Sequence, residues 1–539
     1  MSRQSLILSA ISGALLALAF PPLKLGFLAY VALVPFLLAL HPVSRSNGRR
    51  YSYREVLWVG FVTGLVFNAG TVYWISWPTV PGGIFSVFFL SIFFILFAVT
   101  LHLLISICGD KAVYLTPFLW TTIEYLRSFG ELAFPWTLLG NTQAGYTRVI
   151  QIASITGVYG VSFWVAAINL LVFQLTRGIT GINGRKKKGP GEDIEWEPSR
   201  LSTALLLVSL LLLLFLPFLY GNTVIPREGI SQTREGSISD SKKIDIALIQ
   251  PNIPVDVKWG PEGIVISFNL LKQMTLKASS YKPDLIVWPE TAAPFYLLRQ
   301  SVYYRALRAL SDSIRIPILA GAQDWRDGNA YNSAFLFRPG FNLIQNYDKI
   351  HLVPGSERMP FVDVIPFLQK ITFRGGYFTP GKRFTVFQHP KGDFSVLICF
   401  ESIFPDLVRE FVLRGADFLI NITNDGWFGR TSGPYQHAQI AIFRAVENRI
   451  PIARAANTGV SMFIDPYGRV SNRTGIFQRA IVLGSLPLGH ERTFFTRHGN
   501  LFAKTCVGIT IGLFLALWLR KSTAPDFEPK SGKLNTEKH

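Results

Sequence analysis

The chain has 539 residues, with 53 Lys and Arg against 34 Asp and Glu, a formal net charge of +19, and 49% hydrophobic residues. This length accommodates two domains. The basic excess does not call for nucleic acid, because its clusters border long uncharged runs, where the cytoplasmic loops of membrane proteins concentrate Lys and Arg.

In chain order, apolar runs near 5–20, 25–41, 56–77, 84–108, 112–126, 149–176, 202–220 and 501–519 predict membrane-spanning helices. Most reach or approach the ~20 residues that a crossing needs, and the first is short. One such run alone would suit a buried helix of a soluble protein, but eight together do not. At the N-terminus, Arg3, an apolar stretch and Ala17-Leu18-Ala19 also fit a signal peptide with a cleavage site. Pro21-Pro22 and the immediate second run fit a helical hairpin better. Either way the later runs keep their orientation. Arg45, Arg49, Arg50 and Arg54 follow the second run; Arg185, Lys186, Lys187 and Lys188 follow the sixth; Arg520 and Lys521 follow the eighth. With the N-terminus inside, all three clusters fall on the cytoplasmic side, and 221–500 falls outside.

Residues 221–243 are polar and read as a linker. From 244 strands and helices alternate: strands at 244–250, 284–288, 316–320 and 332–337, with helices at 264–280 and 300–313 between the first three. A strand follows at 396–399, then helix 405–414, strand 418–422, helix 436–449 and strands at 452–455, 461–464 and 480–486. This alternation predicts a layered α/β domain, and apolar residues on successive strand positions predict sheets covered on both faces. The expected division is a transmembrane domain 1–220 of about seven helices, a linker 221–243, an α/β domain 244–495, a C-terminal transmembrane helix 496–521 and a cytoplasmic tail 522–539 expected to be disordered.

Cys108 and Cys506 lie in or beside predicted spans, so Cys399 is the only cysteine of the large outward segment and has no disulfide partner there. A lone thiol is either a buried small hydrophobe or a nucleophile. Its setting favours the second: Phe394-Ser-Val-Leu-Ile-Cys399-Phe400-Glu401 follows Trp288-Pro289-Glu290 and Tyr347-Asp348-Lys349. Glu, Lys and Cys, each at or just past the end of a predicted strand, supply a base, a cation for a developing oxyanion and a nucleophile, which is the equipment of covalent acyl transfer. Gly376 to Arg383 nearly matches a Walker A loop, but Arg383 stands where magnesium binding needs Ser or Thr. There is no His-Glu-x-x-His and no cysteine cluster, and His351, His437, His490 and His498 are scattered, so neither metal nor cofactor is expected. A Gly-x-Ser-x-Gly elbow is also absent.

Glu290 in Trp-Pro-Glu, Lys349 in Tyr-Asp-Lys-Ile-His-Leu-Val-Pro and Cys399 in Leu-Ile-Cys-Phe-Glu resemble the Glu-Lys-Cys triad of the carbon–nitrogen hydrolase (nitrilase) superfamily. Within it, Gln250-Pro-Asn-Ile-Pro254 followed by Trp259, Asn424-Asp425-Gly-Trp427-Phe428-Gly429, Gln436-His437, Arg444-Ala-Val-Glu447 and Asn457-Thr-Gly459 resemble the bacterial apolipoprotein N-acyltransferase family. The resemblance covers nearly the whole chain, because that family carries spans before the domain and one after it. It implies a four-layer αββα sandwich on a polytopic α-helical membrane domain. It implies that Glu290 takes the proton of Cys399, and that Lys349, with backbone N–H groups near Phe400, stabilises the thiolate and the oxyanion. Glu357 and Glu401 resemble supporting acids that orient Lys349 or relay a proton, with a structural role left open. Trp259 resembles an aromatic near the acyl donor, with ordinary packing left open. The chain departs from the family at Phe400, where Tyr is usual, and at Pro354-Gly-Ser-Glu357, where Pro-Phe-Gly-Glu is usual.

The implied reaction has two steps. Cys399 attacks the sn-1 ester of a phospholipid, typically phosphatidylethanolamine, and the thioester is then attacked by the α-amine of the lipid-bearing N-terminal cysteine of an apolipoprotein. The implied setting is a monomer in the bacterial inner membrane with its catalytic domain in the periplasm. Apolar stretches 295–298, 359–367 and 427–428 are expected at the lipid interface. Two rivals share these residues: a membrane-tethered amidase using water as acceptor, and a non-catalytic scaffold with a degenerate domain.

Overall fold

The computed structural model describes residues 2–41, 52–179, 186–188, 192–194, 200–226, 242–370, 377–489 and 491–522. Arg45, Arg49, Arg50, Arg185, Gly376, His490, most of the expected linker and the tail from 523 lie outside these residues, as do the side chains of Lys186 to Lys188, Arg520 and Lys521.

The N-terminal half is helical: α1 (Arg3–Ala19), α2 (Val34–Leu40), α3 (Tyr53–Thr71), α4 (Val80–Cys108), α5 (Thr116–Leu126) and α6 (Ala153–Ile179). A short ribbon pairs β1 (Lys186–Lys188) with β2 (Glu192–Ile194), and α7 (Arg200–Val224) runs past the expected boundary at 220. Every expected span contains helix, but among the described residues only Val80–Cys108, Val149–Arg177 and Leu201–Val224 are long and apolar enough to cross a membrane. The shortfall has a covalent cause in two places. The run 25–41 is a 3₁₀ turn, Gly26–Tyr30, followed by the seven-residue α2 with Pro35 in its first turn. The run 112–126 is likewise split by a 3₁₀ turn, Asp110–Leu115, before the eleven-residue α5 with Pro117 in its first turn. Proline lacks the N–H that an unbroken helix would need there, so it sits where a helix restarts.

Small and polar residues knit these helices. A Cβ on Gly64 of α3 would lie 2.9 Å from Ser91 Cα of α4, so the two backbones touch where no larger side chain fits. Ser12 Oγ donates to Ala32 O at 2.6 Å, and Asn169 of α6 donates to Ala29 O at 2.7 Å while accepting from Leu33 N at 2.8 Å. Within α6, Gly157 leaves the helical region at φ 67°, and the freed N–H of Val158 donates to Glu447 Oε1 at 2.8 Å, in the second half of the chain.

That second half is a sandwich. One sheet comprises β3 (Lys243–Gln250), β4 (Leu285–Val287), β5 (Ala293–Tyr296), β6 (Ile318–Arg326), β7 (Asn329–Phe337), β8 (Gln345–Asp348) and β14 (Ala480–Pro487), in the order β14-β3-β4-β6-β7-β8 with β5 also on β6. The other runs β13-β12-β11-β10-β9, built from β9 (Phe394–Ile398), β10 (Phe418–Thr423), β11 (Ile452–Ala456), β12 (Met462–Ile464) and β13 (Val470–Ser471). Pairings β3–β4, β4–β6, β9–β10 and β10–β11 are parallel. Period-two alternation assigns the faces. Ile246, Leu248, Leu285, Val287 and Leu336 join the core shared with the second sheet. Ala247, Ile249, Ile286, Trp288 and Phe337 join a separate core under α9 (Gly263–Ser279) and α10 (Ser301–Ile314). Helices α11 (Pro405–Leu413) and α12 (Gly433–Asn448) cover the far sheet, completing the expected αββα order. A short α8 (Val255–Lys258) follows β3, and α13 (Phe494–His498) leads into α14 (Leu501–Ser522), whose Thr510 meets Thr122 of α5 at 3.0 Å.

Two sequence expectations need correction. Stretch 295–298 is not an interfacial loop: Phe295 and Leu297 are buried under α9, and β5 pairs with β6. Likewise Phe428 is half-buried, its ring 4.5 Å from Trp74 of the membrane half. Stretch 359–367 does expose Phe361, Val364, Ile365 and Phe367.

Candidate active site

Strand β4 ends at Val287, and Trp288-Pro289 carry the chain to Glu290 at the top of the first sheet. Strand β8 ends at Asp348, placing Lys349 beside it. Strand β9 ends at Ile398, so Cys399 is not a strand residue as expected but opens a 3₁₀ turn, Cys399–Ile403, with φ 53°. A non-glycine residue in the left-handed region is strained and persists only where its surroundings hold it.

The structure brings the three together. Lys349 Nζ lies 2.9 Å from Glu357 Oε2 and 3.4 Å from Glu290 Oε1, so Glu357 is its main partner. Asn332 Nδ2 donates to both Glu290 Oε1 and Glu357 Oε1 at 2.8 Å. The other Glu290 oxygen accepts from Asn424 N at 2.8 Å. All three are enclosed: Glu290 is 6% exposed, Lys349 1% and Cys399 8%. Burial pushes the Cys399 thiol well above its ordinary range, and Glu290 adds to the push, while Lys349 opposes both. Burial alone would lower Lys349, but Glu357 and Glu290 outweigh it and hold the ammonium charged far into the basic range. The thiol is therefore protonated at rest, beside a carboxylate, with a fixed cation nearby. That arrangement suits proton removal concerted with attack.

The supporting acids separate in role. Glu357 grips Lys349. Glu401 accepts from Tyr347 Oη at 2.6 Å, Ile350 N at 2.7 Å, His351 N at 3.2 Å and Ile398 N at 2.7 Å. It clamps the strand before Cys399 to the segment after Lys349. Burial pushes Glu401 up to about 7, against these donors. Phe400 stacks on Phe134 of the membrane half at 6.2 Å. Trp259 is 42% exposed, with Lys258 Nζ 5.9 Å over its ring.

Comparison with known proteins gives the family. Residues 245–493 match the carbon–nitrogen hydrolase family, and residues 12–171 match the apolipoprotein N-acyltransferase N-terminal domain. The chain is 36% identical to the apolipoprotein N-acyltransferase of Geobacter metallireducens, over 96% of each chain. The chain belongs to the apolipoprotein N-acyltransferase family. The Chlorobaculum tepidum apolipoprotein N-acyltransferase is 32% identical over 95% of this chain and 96% of its own. Among solved structures, an amidase from Nesterenkonia covers 50% of this chain and 99% of its own at 18% identity and a TM-score of 0.39. A yeast nitrilase-superfamily protein covers 46% and 90% at 20% identity and a TM-score of 0.37. As a member of this acyltransferase family the protein is an enzyme, and its long apolar helices make it a membrane protein.

Sequence reasoning quoted Asp425 and His437 but gave them no part, and passed over Asn332, Lys258 and Arg454. His437 Nδ1 meets Asp425 Oδ1 at 2.8 Å, and Asp425 Oδ2 meets Arg454 Nη2 at 2.9 Å, all fully buried behind the nucleophile turn. Burial would raise Asp425, but Arg454 and His437 hold it down to about 2. Burial and Arg454 push His437 down, with Asp425 opposing. Ligand atoms of Cys399, Asp425 and His437 lie within 4.8 Å of one another, as a metal would need. However, Thr423 and His437 occupy one Asp425 oxygen, Arg454 takes the other, and both His437 nitrogens face protein atoms. The signal was available: an Arg in the apolar strand Ile452-Ala-Arg454-Ala-Ala demands a buried counter-ion. Lys258 Nζ donates to Thr291 Oγ1 at 3.0 Å and lies 3.4 Å from Glu290 O, and burial pushes it down to about 7 against the pull of Glu290. The Walker-like stretch, described from Tyr377, leads into no helix.

Proposed function

We propose that Cys399 carries the acyl group, Glu290 moves the protons and Lys349 stabilises the oxyanion in transfer from a phospholipid to an apolipoprotein. Cys399 Sγ attacks the sn-1 ester carbonyl, most naturally of phosphatidylethanolamine, as Glu290 takes the thiol proton. The tetrahedral intermediate collapses, Glu290 returns the proton to the departing glycerol oxygen, and a thioester and a lysophospholipid result. The α-amine of an N-terminal S-diacylglyceryl-cysteine then attacks the thioester. Glu290 accepts the amine proton and hands it to the departing sulfur, so that Cys399 leaves as a thiol and Glu290 is restored. Glu357 and Asn332 hold Lys349 and Glu290 in register, and Phe400, through Phe134, sets the nucleophile turn against the membrane half.

The observation that carries this reading is the contact between a Glu-Lys-Cys site and a membrane-embedded half along the full length of curated acyltransferase relatives. The same reading places the protein as a multi-pass protein of the bacterial inner membrane, monomeric, with residues 244–495 facing the periplasm. Arg54 after the second run supports that orientation. The test is incubation of the purified protein with phospholipid labelled in its sn-1 chain, with and without a diacylglyceryl peptide. Label should appear on Cys399 without the peptide and move to the peptide's α-amine with it. Release of free fatty acid alone would make the protein a membrane-tethered hydrolase, and no labelling at all would leave a scaffold.

A further inference from the structure

Adjacent residues near the start of α12 reach different halves of the molecule. Gln436 carries two amide donors and a carbonyl with two lone pairs. Its Oε1 accepts from Trp136 Nε1 at 2.8 Å and Trp74 Nε1 at 3.1 Å; its Nε2 donates to Thr71 O at 3.1 Å and Pro21 O at 3.4 Å. The amide is thus saturated by three separate segments of the membrane half. His437 turns to the nucleophile: its Nε2 lies 3.0 Å from Cys399 O and 3.1 Å from Ser402 Oγ, while Asp425 fixes the other nitrogen. Trp136 connects the two again, because its ring packs 5.1 Å from the His437 imidazole. The strained backbone at Cys399 is therefore held through a residue whose neighbour is seated by the membrane helices.

We propose that Gln436 and His437 are positioning residues for acyl transfer, Gln436 seated by the membrane half and His437 holding the nucleophile turn, so that Cys399 is set for attack only while Trp74 and Trp136 are docked. The reading rests on Cys399 as the nucleophile. A helix of ordinary length transmits this because its first turn is stiff: moving the Gln436 side chain by an ångström moves its neighbour too. Displacement of Trp74 and Trp136 then loosens the turn, and the thiol becomes competent again when the membrane half closes around the site.

The experiment uses the full chain in detergent micelles with Cys108→Ser and Cys506→Ser, so that Cys399 is the only thiol. Alkylation by iodoacetamide is followed by intact mass from pH 7 to 9, with thermal unfolding measured alongside. Trp136→Phe keeps an aromatic ring and deletes the indole N–H; Trp136 touches neither thiol nor substrate ester. The variant should slow alkylation at every pH, by about tenfold to a hundredfold, as expected for a small misplacement of a reacting group, at a temperature well below its own unfolding midpoint. His437→Gln, whose amide offers both a donor and an acceptor near Cys399 O and Ser402 Oγ, should retain more reactivity than His437→Leu. The pair Trp136→Phe with His437→Leu should be no slower than His437→Leu alone, since both act by one route. If His437→Leu fails to fold, Trp136→Phe and Gln436→Met decide. Alkylation of Trp136→Phe at the parent rate overturns the proposal, as do losses that multiply in the double variant. The nucleophile assignment is read separately, by phospholipid labelling of Cys399→Ser, and its failure leaves the alkylation result standing.

Discussion

In the sandwich, β3 points Ile246 and Leu248 at the facing sheet and Ala247 and Ile249 at the helices above, so every apolar residue is inside. In the membrane half, α4 does the reverse. It leaves Ile84, Phe85, Phe88 and Ile92 more than half exposed at its surface and turns Ser91 inward, fully buried. The two regions use similar side chains under different solvents. Where water surrounds the fold, apolar burial carries the information and a buried charge marks chemistry. Where lipid surrounds it, apolar residues say little, and small or polar ones mark the contacts between helices.

The sharpest test of this contrast lies in the three cysteines. Cys399→Ser should abolish acyl transfer, whereas Cys108→Ser at the end of α4 and Cys506→Ser in α14, both outside the sandwich, should leave it at the parent level in a lipoprotein N-terminal mass assay. Retained transfer by the Cys399 variant, with acyl group found elsewhere, would remove the sandwich as the seat of chemistry. Next come the buried charges. Glu290→Gln and Lys349→Ala should each cut formation of the hydroxylamine-sensitive thioester by about two to three decades, or ~3–4 kcal/mol. A Glu290→Gln protein that accumulates thioester like its parent would shift the role of base to another acid.

A third test concerns pH. Because burial and Glu290 hold the Cys399 thiol far above its ordinary range, thiolate is scarce throughout the neutral region. The fraction of thiolate then grows with each step in pH, and iodoacetamide alkylation should rise by about one decade per pH unit from 7 to 9 without a plateau. A plateau near pH 7 in the alkylation rate would mean a thiol activated at rest. The smallest effects separate the helix faces. Gly64→Leu forces a side chain against Ser91 and should cost about 1–3 kcal/mol, and Asn169→Leu should cost about 0.6 kcal/mol, with ~1.7 as the upper end. Phe88→Ala on the outward face should stay within about 0.5 kcal/mol. Reversible unfolding in mixed micelles measures all three. A Phe88 loss as large as that at Gly64 would break the contrast.

The sequence was most legible where one period ruled. The predicted strand 284–288 leaves Glu290 just past its end, and the structure keeps that placement, whereas the strand ending at Asp348 was not among those read from the sequence. Cys399 read as a strand residue because its predecessors are apolar in succession; its φ of 53° is set by partners far along the chain, His437 among them. Arg454 in an apolar strand signalled a buried counter-ion, but that Asp425 is that partner emerges only when β10 and β11 lie side by side. Helix count in the membrane half was readable from hydropathy, but prolines at 35 and 117 divided runs that hydropathy joined.

Helix α12 decides what can be cut from what. Fourteen of its sixteen residues are buried, because one side lies on the second sheet and the other on the membrane helices. Glu447 caps a broken turn of α6, and Gln436 commits its whole amide to segments before residue 137. A stand-alone fragment from Lys242 onward would present this side to water, with apolar surface bared and several polar groups stripped of their partners. The catalytic half is therefore no cargo hung on an anchor: separated from its helices, it should come out of a cell in inclusion bodies, and refold only when the missing half is returned to it.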